Sequence, residues 1–219
     1  MEETFTLIEI KWNSKIKMGI INDYKLVEQL RENYKIICEP IGSPTISKHQ
    51  NYLLIGPYML NKYDLFFLYE NKHIIINSQN IEDEKNFLIE YENNKDNILY
   101  LVYKDLHQKD YFILPGKKYG VDFLAYKEDP NFCHSNYLIS CKNINDNIDA
   151  KDVINNERVS LATLKTLLYA FVDNKNKDDI KINFYNLIII FIDNEEYNYM
   201  NISWTQIKNE NEIKSKKNN

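Results

Sequence analysis

Apolar and polar residues alternate along TFTLIEIKW, residues 4–12, with the two-residue period of a half-buried strand. DYKLVEQLRENY, 23–34, instead carries its apolar residues at helical spacing. GSPTISKHQN, 42–51, is turn chemistry. NYLLIGPYMLNKYDLFFLYENKHIIIN, 51–77, reads as a short strand, a helix with leucines and aromatics on one face, and a closing strand. SQNIEDEKNFLIEYENNKDN, 78–97, is polar and charged, and reads as a boundary carrying a connecting helix. A small mixed α/β domain is therefore expected over 1–90.

A second domain is expected over 91–208. NILYLVYKDLHQKD predicts a helix ending before Tyr111. YFILPG and GVDFLAY predict short strands joined by the turn PGKKYG, and HSNYLISCK a further strand with Tyr137, Ile139 and Cys141 on one face. NERVSLATLKTLLYAFV, 156–172, predicts a helix. IKINFYNLIIIFI and NYMNISWTQI predict strands, and the tail from 209 to 219 reads as disordered. The fold class is thus α/β in the broad sense (α+β): a small mixed N-terminal domain, then a mixed central sheet flanked by helices.

Composition narrows the picture without naming a chemistry. At 219 residues, with 44% hydrophobic and 27% charged, the chain has globular values and enough length for a real core. A net charge of −5 argues against coating nucleic acid by bulk charge, though not against a local basic cleft. Residues 101–172 hold nine Lys/Arg and nine Asp/Glu, so that region is neutral. Three unevenly spaced cysteines, Cys38, Cys133 and Cys141, point to a reducing compartment with no disulfide framework and no zinc site. The acidic start MEETFTLIEI does not read as a secretory leader, and no apolar run reaches the ~18 residues of a membrane helix.

Three residues stand out together. Tyr126 ends one apolar run, a polar loop with Pro130 follows, and His134 opens the next run. The two side chains flank one loop between adjacent strands and are able to converge. Lys165 falls within the helical stripe of Leu161, Leu164, Leu168 and Val172, where an ammonium needs an anion or must snorkel to water. Alone, each has a plain structural account: a satisfied histidine, one packing tyrosine of 17, a snorkelling lysine. Together, a phenol, an imidazole and an ammonium suit attack of an RNA 2′-hydroxyl on its own phosphodiester. That reaction needs a base, an acid for the departing 5′-oxygen and a positive charge for the phosphorane, with neither metal nor cofactor. Imidazoles titrate near neutrality, whereas a phenol with a pKa of about 10 is a poor base unless a cation lowers it.

These residues carry a resemblance. VYKDLHQKDYFILPGKKYGVDFLAY, DPNFCHSNYLIS and RVSLATLKTLLYA resemble the catalytic domain of the tRNA-splicing (tRNA-intron) endonucleases over about residues 98–172. The matching positions are Tyr103, Asp105 and Leu106, then Gly116, Gly120, Asp122, Phe123 and Tyr126, then His134, Ser135, Lys165 and Thr166. The short loop at Asp129–Pro130 looks most like the smaller catalytic subunit of the eukaryotic enzyme. The resemblance implies Tyr126 as general base, His134 as general acid and Lys165 as transition-state stabiliser. It also implies cutting of an intron-containing pre-tRNA at the 3′ splice site, leaving a 2′,3′-cyclic phosphate and a 5′-hydroxyl. Arg158, seven residues before Lys165, matches a position that clamps a splayed base; its plain reading is a solvated residue near a helix start. A small structural partner subunit, a second catalytic and structural pair, and a nuclear location are further implications.

Gly120 is expected in a turn conformation closed to other residues, and Asp122 to brace that turn. The sequence departs from the family at Leu164, where an arginine is usual, and at Asp110, where glycine is common. Its stretch 173–196 also looks long. The run Leu187–Ile192 reads either as a central strand or as one covered by a partner. Two rival functions remain open: a non-catalytic scaffold subunit of the same complex, and a metal-dependent nuclease on a related α/β fold.

Overall fold

The computed structural model describes residues 8–42, 57–76, 81–176, 180–194 and 197–206, with side chains described as far as Asn186. The predicted turn at 42–51 falls almost wholly, and the predicted tail at 209–219 wholly, outside the described residues. The fold is α+β, with five α-helices and two sheets among the described residues. No described helix is long and apolar enough to cross a membrane. The chain forms two compact units, Met1–Tyr100 and Leu101–Asn219.

In the first unit the strands are β1 (Ile8–Asn13), β2 (Met18–Ile21), β3 (Glu39–Pro40), β4 (Tyr58–Leu60) and β5 (Ile74–Ile76), in the order β3-β4-β2-β1-β5. The alternation in β1 buries Ile10 and Trp12 and exposes Glu9 and Lys11. Helix α1 (Tyr24–Tyr34) starts where the Asp23 carboxylate accepts the Lys25 amide at 2.9 Å. Helix α2 (Lys62–Glu70) buries Tyr63, Asp64, Leu65, Phe66 and Leu68, so more of its circumference is covered than a single apolar face provides. Helix α3 (Ile81–Asn94) is the charged segment read as a boundary. It is part of this unit's core: Phe87 is fully buried, with its ring 5.3 Å from Trp12 and 5.8 Å from Phe66. The division at 90/91 drawn from composition lies within α3. The compact units part ten residues later, inside α4 (Ile98–Gln108).

The second unit holds a mixed sheet in the order β11-β10-β9-β8-β7-β6. Its strands are β6 (Phe112–Pro115), β7 (Phe123–Tyr126), β8 (Tyr137–Asn143), β9 (Thr166–Asp173), β10 (Lys181–Asn194) and β11 (Tyr197–Gln206). Strands β8 and β9 are parallel and every other neighbour is antiparallel. The crossover between the parallel pair is α5 (Ala150–Thr163), capped where Asp149 accepts the Lys151 amide. One face of the sheet packs Leu124, Leu138, Leu167 and Tyr169 around Val153 and Val159 of α5. On the other face Phe123 meets Tyr103 of α4, with ring centroids 6.2 Å apart.

The helix expected over 156–172 is two elements. Helix α5 starts earlier, at Ala150, and Leu164 ends it in the left-handed region at φ 55°. TLLYAFVD then runs as β9, with Leu167, Leu168, Tyr169, Ala170 and Val172 buried on both faces. A strand paired on both sides and covered on both faces reads as a continuous apolar run, which mimics a buried helix. The stripe assigned to Leu161, Leu164, Leu168 and Val172 therefore does not exist: the first two are exposed and the last two lie in a strand core. The run Leu187–Ile192 pairs with β11 within β10, and the β9 register of β10 extends from Lys181 to Asn186.

Candidate active site

The hairpin β6–β7 positions the first site residue. Its turn is a short 3-10 helix, Lys117–Tyr119, closed by Gly120 at φ 74°. Gly116 sits so close to the returning strand that a Cβ would lie 2.7 Å from Val121 Cγ2 and 2.8 Å from the Phe123 amide nitrogen. The Asp122 carboxylate accepts the Cys141 amide at 2.7 Å, tying β7 to β8. Gly120 and Asp122 thus do structural work. Asp110 occupies the left-handed region at φ 69°, where glycine is favoured and aspartate is among the better substitutes.

Register then brings residues from three strands into line. Leu124, Leu138 and Leu167 are partners across β7, β8 and β9. Just beyond the last paired row, Ala125, Tyr137 and Thr166, come Tyr126, Asn136 and Lys165 at the same end of the sheet. Asn136 stitches this row: its amide donates to Ala125 O at 3.0 Å, its Oδ1 accepts the Lys127 amide at 2.9 Å, and its carbonyl accepts the Thr166 amide at 3.2 Å. Tyr126 and Lys165 are therefore two strand spacings apart, about 10 Å between backbones. Both side chains are long enough to meet a group held between them. His134 is exposed, two residues before Asn136, in the loop that leaves Tyr126.

Lys165 does not sit on a helix, as the sequence reading had it; it follows the α5 cap and enters β9. Its backbone is pinned by buried Ser160, whose hydroxyl donates to Lys165 O at 2.6 Å while Lys165 N donates to Ser160 O at 3.1 Å. The ammonium lies 6.0 Å from the centre of the Tyr119 ring. Leu164, beside it, is 88% exposed. Arg158 is exposed in the interior of α5, not at its opening. Its neighbour Glu157 has its carboxyl pushed up by burial.

Burial also pushes the Tyr126 phenol above its ordinary value, the neighbouring Ser135 hydroxyl acts in the opposite sense, and Tyr119 and Cys133 raise it further. The Ser135 hydroxyl is buried beside the phenol and makes only a loose contact with it. Tyr119 is a residue that the sequence reading passed over. It is half-buried against the same apolar cluster as Tyr126 and stands beside both Lys165 and the phenol. One tyrosine of 17, in a turn, carried no signal of its own. A phenol, an imidazole and an ammonium gathered at one end of a sheet have the chemistry to move a proton and to offset an anionic charge.

Residues 97–183 match the family model described as the tRNA intron endonuclease, catalytic C-terminal domain. A tRNA-splicing endonuclease of Saccharolobus islandicus is 34% identical over 144 residues, covering 64% of this chain and 75% of that protein. One of Saccharolobus solfataricus is 35% identical over 107 residues, covering 45% and 59%. One of Sulfolobus acidocaldarius is 29% identical over 169 residues, covering 72% and 87%. With its matched segment containing Tyr126, His134, Arg158 and Lys165, the chain belongs to the tRNA-splicing endonuclease family.

Proposed function

We propose that this chain is a catalytic subunit of a tRNA-splicing endonuclease that cuts intron-containing pre-tRNA at the 3′ splice site. Tyr126 takes the proton of the 2′-hydroxyl next to the scissile phosphate. The freed 2′-oxygen attacks phosphorus, and the bond from phosphorus to the 5′-oxygen breaks. His134 gives that oxygen its proton, leaving a 2′,3′-cyclic phosphate and a 5′-hydroxyl. Lys165 offsets the charge gathering on the non-bridging oxygens. The step consumes neither water nor metal. Arg158 lays its guanidinium plane on a splayed base of the substrate.

The observation that supports this reading is a shared sheet end: Tyr126 closes β7, Lys165 leads into β9 with β8 between them, and His134 stands in the loop between β7 and β8. The other subunits, a small structural partner and a second catalytic and structural pair, and the nuclear location belong to the same proposal.

Changing His134→Ala in the assembled enzyme tests it. Cleavage at the 3′ site falls by about 10²–10⁴-fold, pre-tRNA binding persists, and the unmodified enzyme keeps full activity in chelator. Cleavage that survives His134→Ala assigns the chain a scaffold role. Cleavage lost in chelator assigns it metal chemistry.

A further inference from the structure

Aromatic side chains in this chain are used for packing, with one exception among those described. Phe132 is 87% exposed, while every other described Phe, Tyr and Trp is buried or half-buried. Phe132 lies in the β7–β8 loop, two residues before His134. The loop is braced around it. The Asn131 amide donates to Asp129 Oδ1 at 2.8 Å and the Phe132 amide to Asp129 O at 2.9 Å. The Cys133 thiol donates to Glu128 O at 3.3 Å and to Asp129 O at 3.4 Å. A ring held outward on a fixed turn gives up little conformational freedom when something docks on it.

The other exposed large apolar residues described in this unit are Ile144, Leu161 and Leu164. Ile144 follows β8, at the far end of the sheet. Leu161 and Leu164 close α5 immediately before Lys165. Apolar exposure therefore gathers at the end of the sheet that holds Tyr126, His134 and Lys165. Two residues of chain span at most about 7 Å. Whatever sits on Phe132 is thus within reach of whatever His134 touches. A protein seated there would cover His134; an RNA strand would occupy both positions at once.

We propose that Phe132 is a base-stacking residue, taking on its ring the face of an unpaired nucleobase next to the phosphate being cut. This rests on reading the site as an RNA-cleaving centre. Every base offers a π-face, so such a contact holds the strand in place without dictating its sequence.

The test uses the assembled enzyme, purified from its host through a tag on this chain. His134→Ala prevents cutting, and the pre-tRNA carries 2-aminopurine at the unpaired position flanking the cleavage site. Stacking on Phe132 quenches the fluorescence. Adding Phe132→Ala restores it and weakens binding by about tenfold or more. Phe132→Trp keeps both signals, while Phe132→Leu, apolar but without a ring, behaves as Phe132→Ala does. Unchanged fluorescence and affinity in Phe132→Ala overturn the proposal. So does full function in Phe132→Leu combined with lost subunit assembly in Phe132→Ala, which marks a protein contact. If His134→Ala still cuts, the proposed catalytic role fails, while the fluorescence continues to report on Phe132.

Discussion

At the hairpin end of the second sheet, Asp122 and Gly116 are tied to backbone. Asp122 holds the Cys141 amide, the Asp122 amide donates to Ile139 O, and the Gly116 amide donates to Asp122 O. At the other end of the same sheet, Tyr126 lies under a loose Ser135 contact, His134 and Phe132 face solvent, and Leu164 caps a helix in a left-handed conformation. The first end is closed against change and fixes the register. The second keeps polar and aromatic side chains available, with strain and exposed apolar surface around them. Register set at one end is what aligns chemistry at the other, because a slip of one residue would turn Tyr126 to the opposite face.

The sharpest way to separate the two ends is to remove one oxygen at the site end. Tyr126→Phe lowers single-turnover cleavage by about 10²–10⁴-fold while stability in urea changes by no more than roughly 0.5 kcal/mol. The same comparison has a pH signature. Burial, together with Tyr119 and Cys133, holds the phenol above its ordinary value, so the phenolate is scarce at neutral pH. Cleavage by the unmodified enzyme should still be rising at pH 9, since the raised value puts half-ionisation above the usual tyrosine pKa of about 10. The residual rate of Tyr126→Phe should lack that rise.

Gly116→Ala probes the braced end. The added carbon meets Val121 and the backbone of the returning strand, with little room to give. We expect a loss of about 3 kcal/mol in unfolding free energy, and loss of activity only in proportion to unfolded protein. The smallest effect is expected where the site end stores strain. Leu164→Gly relieves a left-handed, non-glycine cap and should raise stability by about 1 kcal/mol, or roughly 2–4 °C in Tm for a chain of this size.

Much of this was legible in the residues, and the failures have physical causes. The alternation in TFTLIEIKW and the turn chemistry of PGKKYG announced β1 and the β6–β7 hairpin directly. The loop between Tyr126 and His134 is short, so their nearness to one strand junction followed from length alone. Lys165 stood out as a lysine within an apolar stripe but was placed on the wrong element, because leucines at three- and four-residue spacing fit a helix as well as a doubly buried strand. Asp149, a capping residue ahead of an acidic first turn, was the signal that α5 starts early. Charge hid the role of α3, whose Phe87 packs among the first unit's aromatic rings despite the acidic residues around it. Phe132 and Tyr119 were invisible for a shared reason: in a chain this rich in aromatics, only coordinates separate a packing ring from an exposed one or one beside a lysine.

The division of labour among Tyr126, His134 and Lys165 can be tested by changing the leaving group. A pre-tRNA with sulfur in place of the scissile 5′-oxygen departs as a thiolate and needs no proton. On that substrate the account predicts that His134→Ala recovers most of the lost cleavage rate, while Tyr126→Phe and Lys165→Ala stay impaired. A His134→Ala enzyme as inactive on the sulfur substrate as on the oxygen one would contradict it.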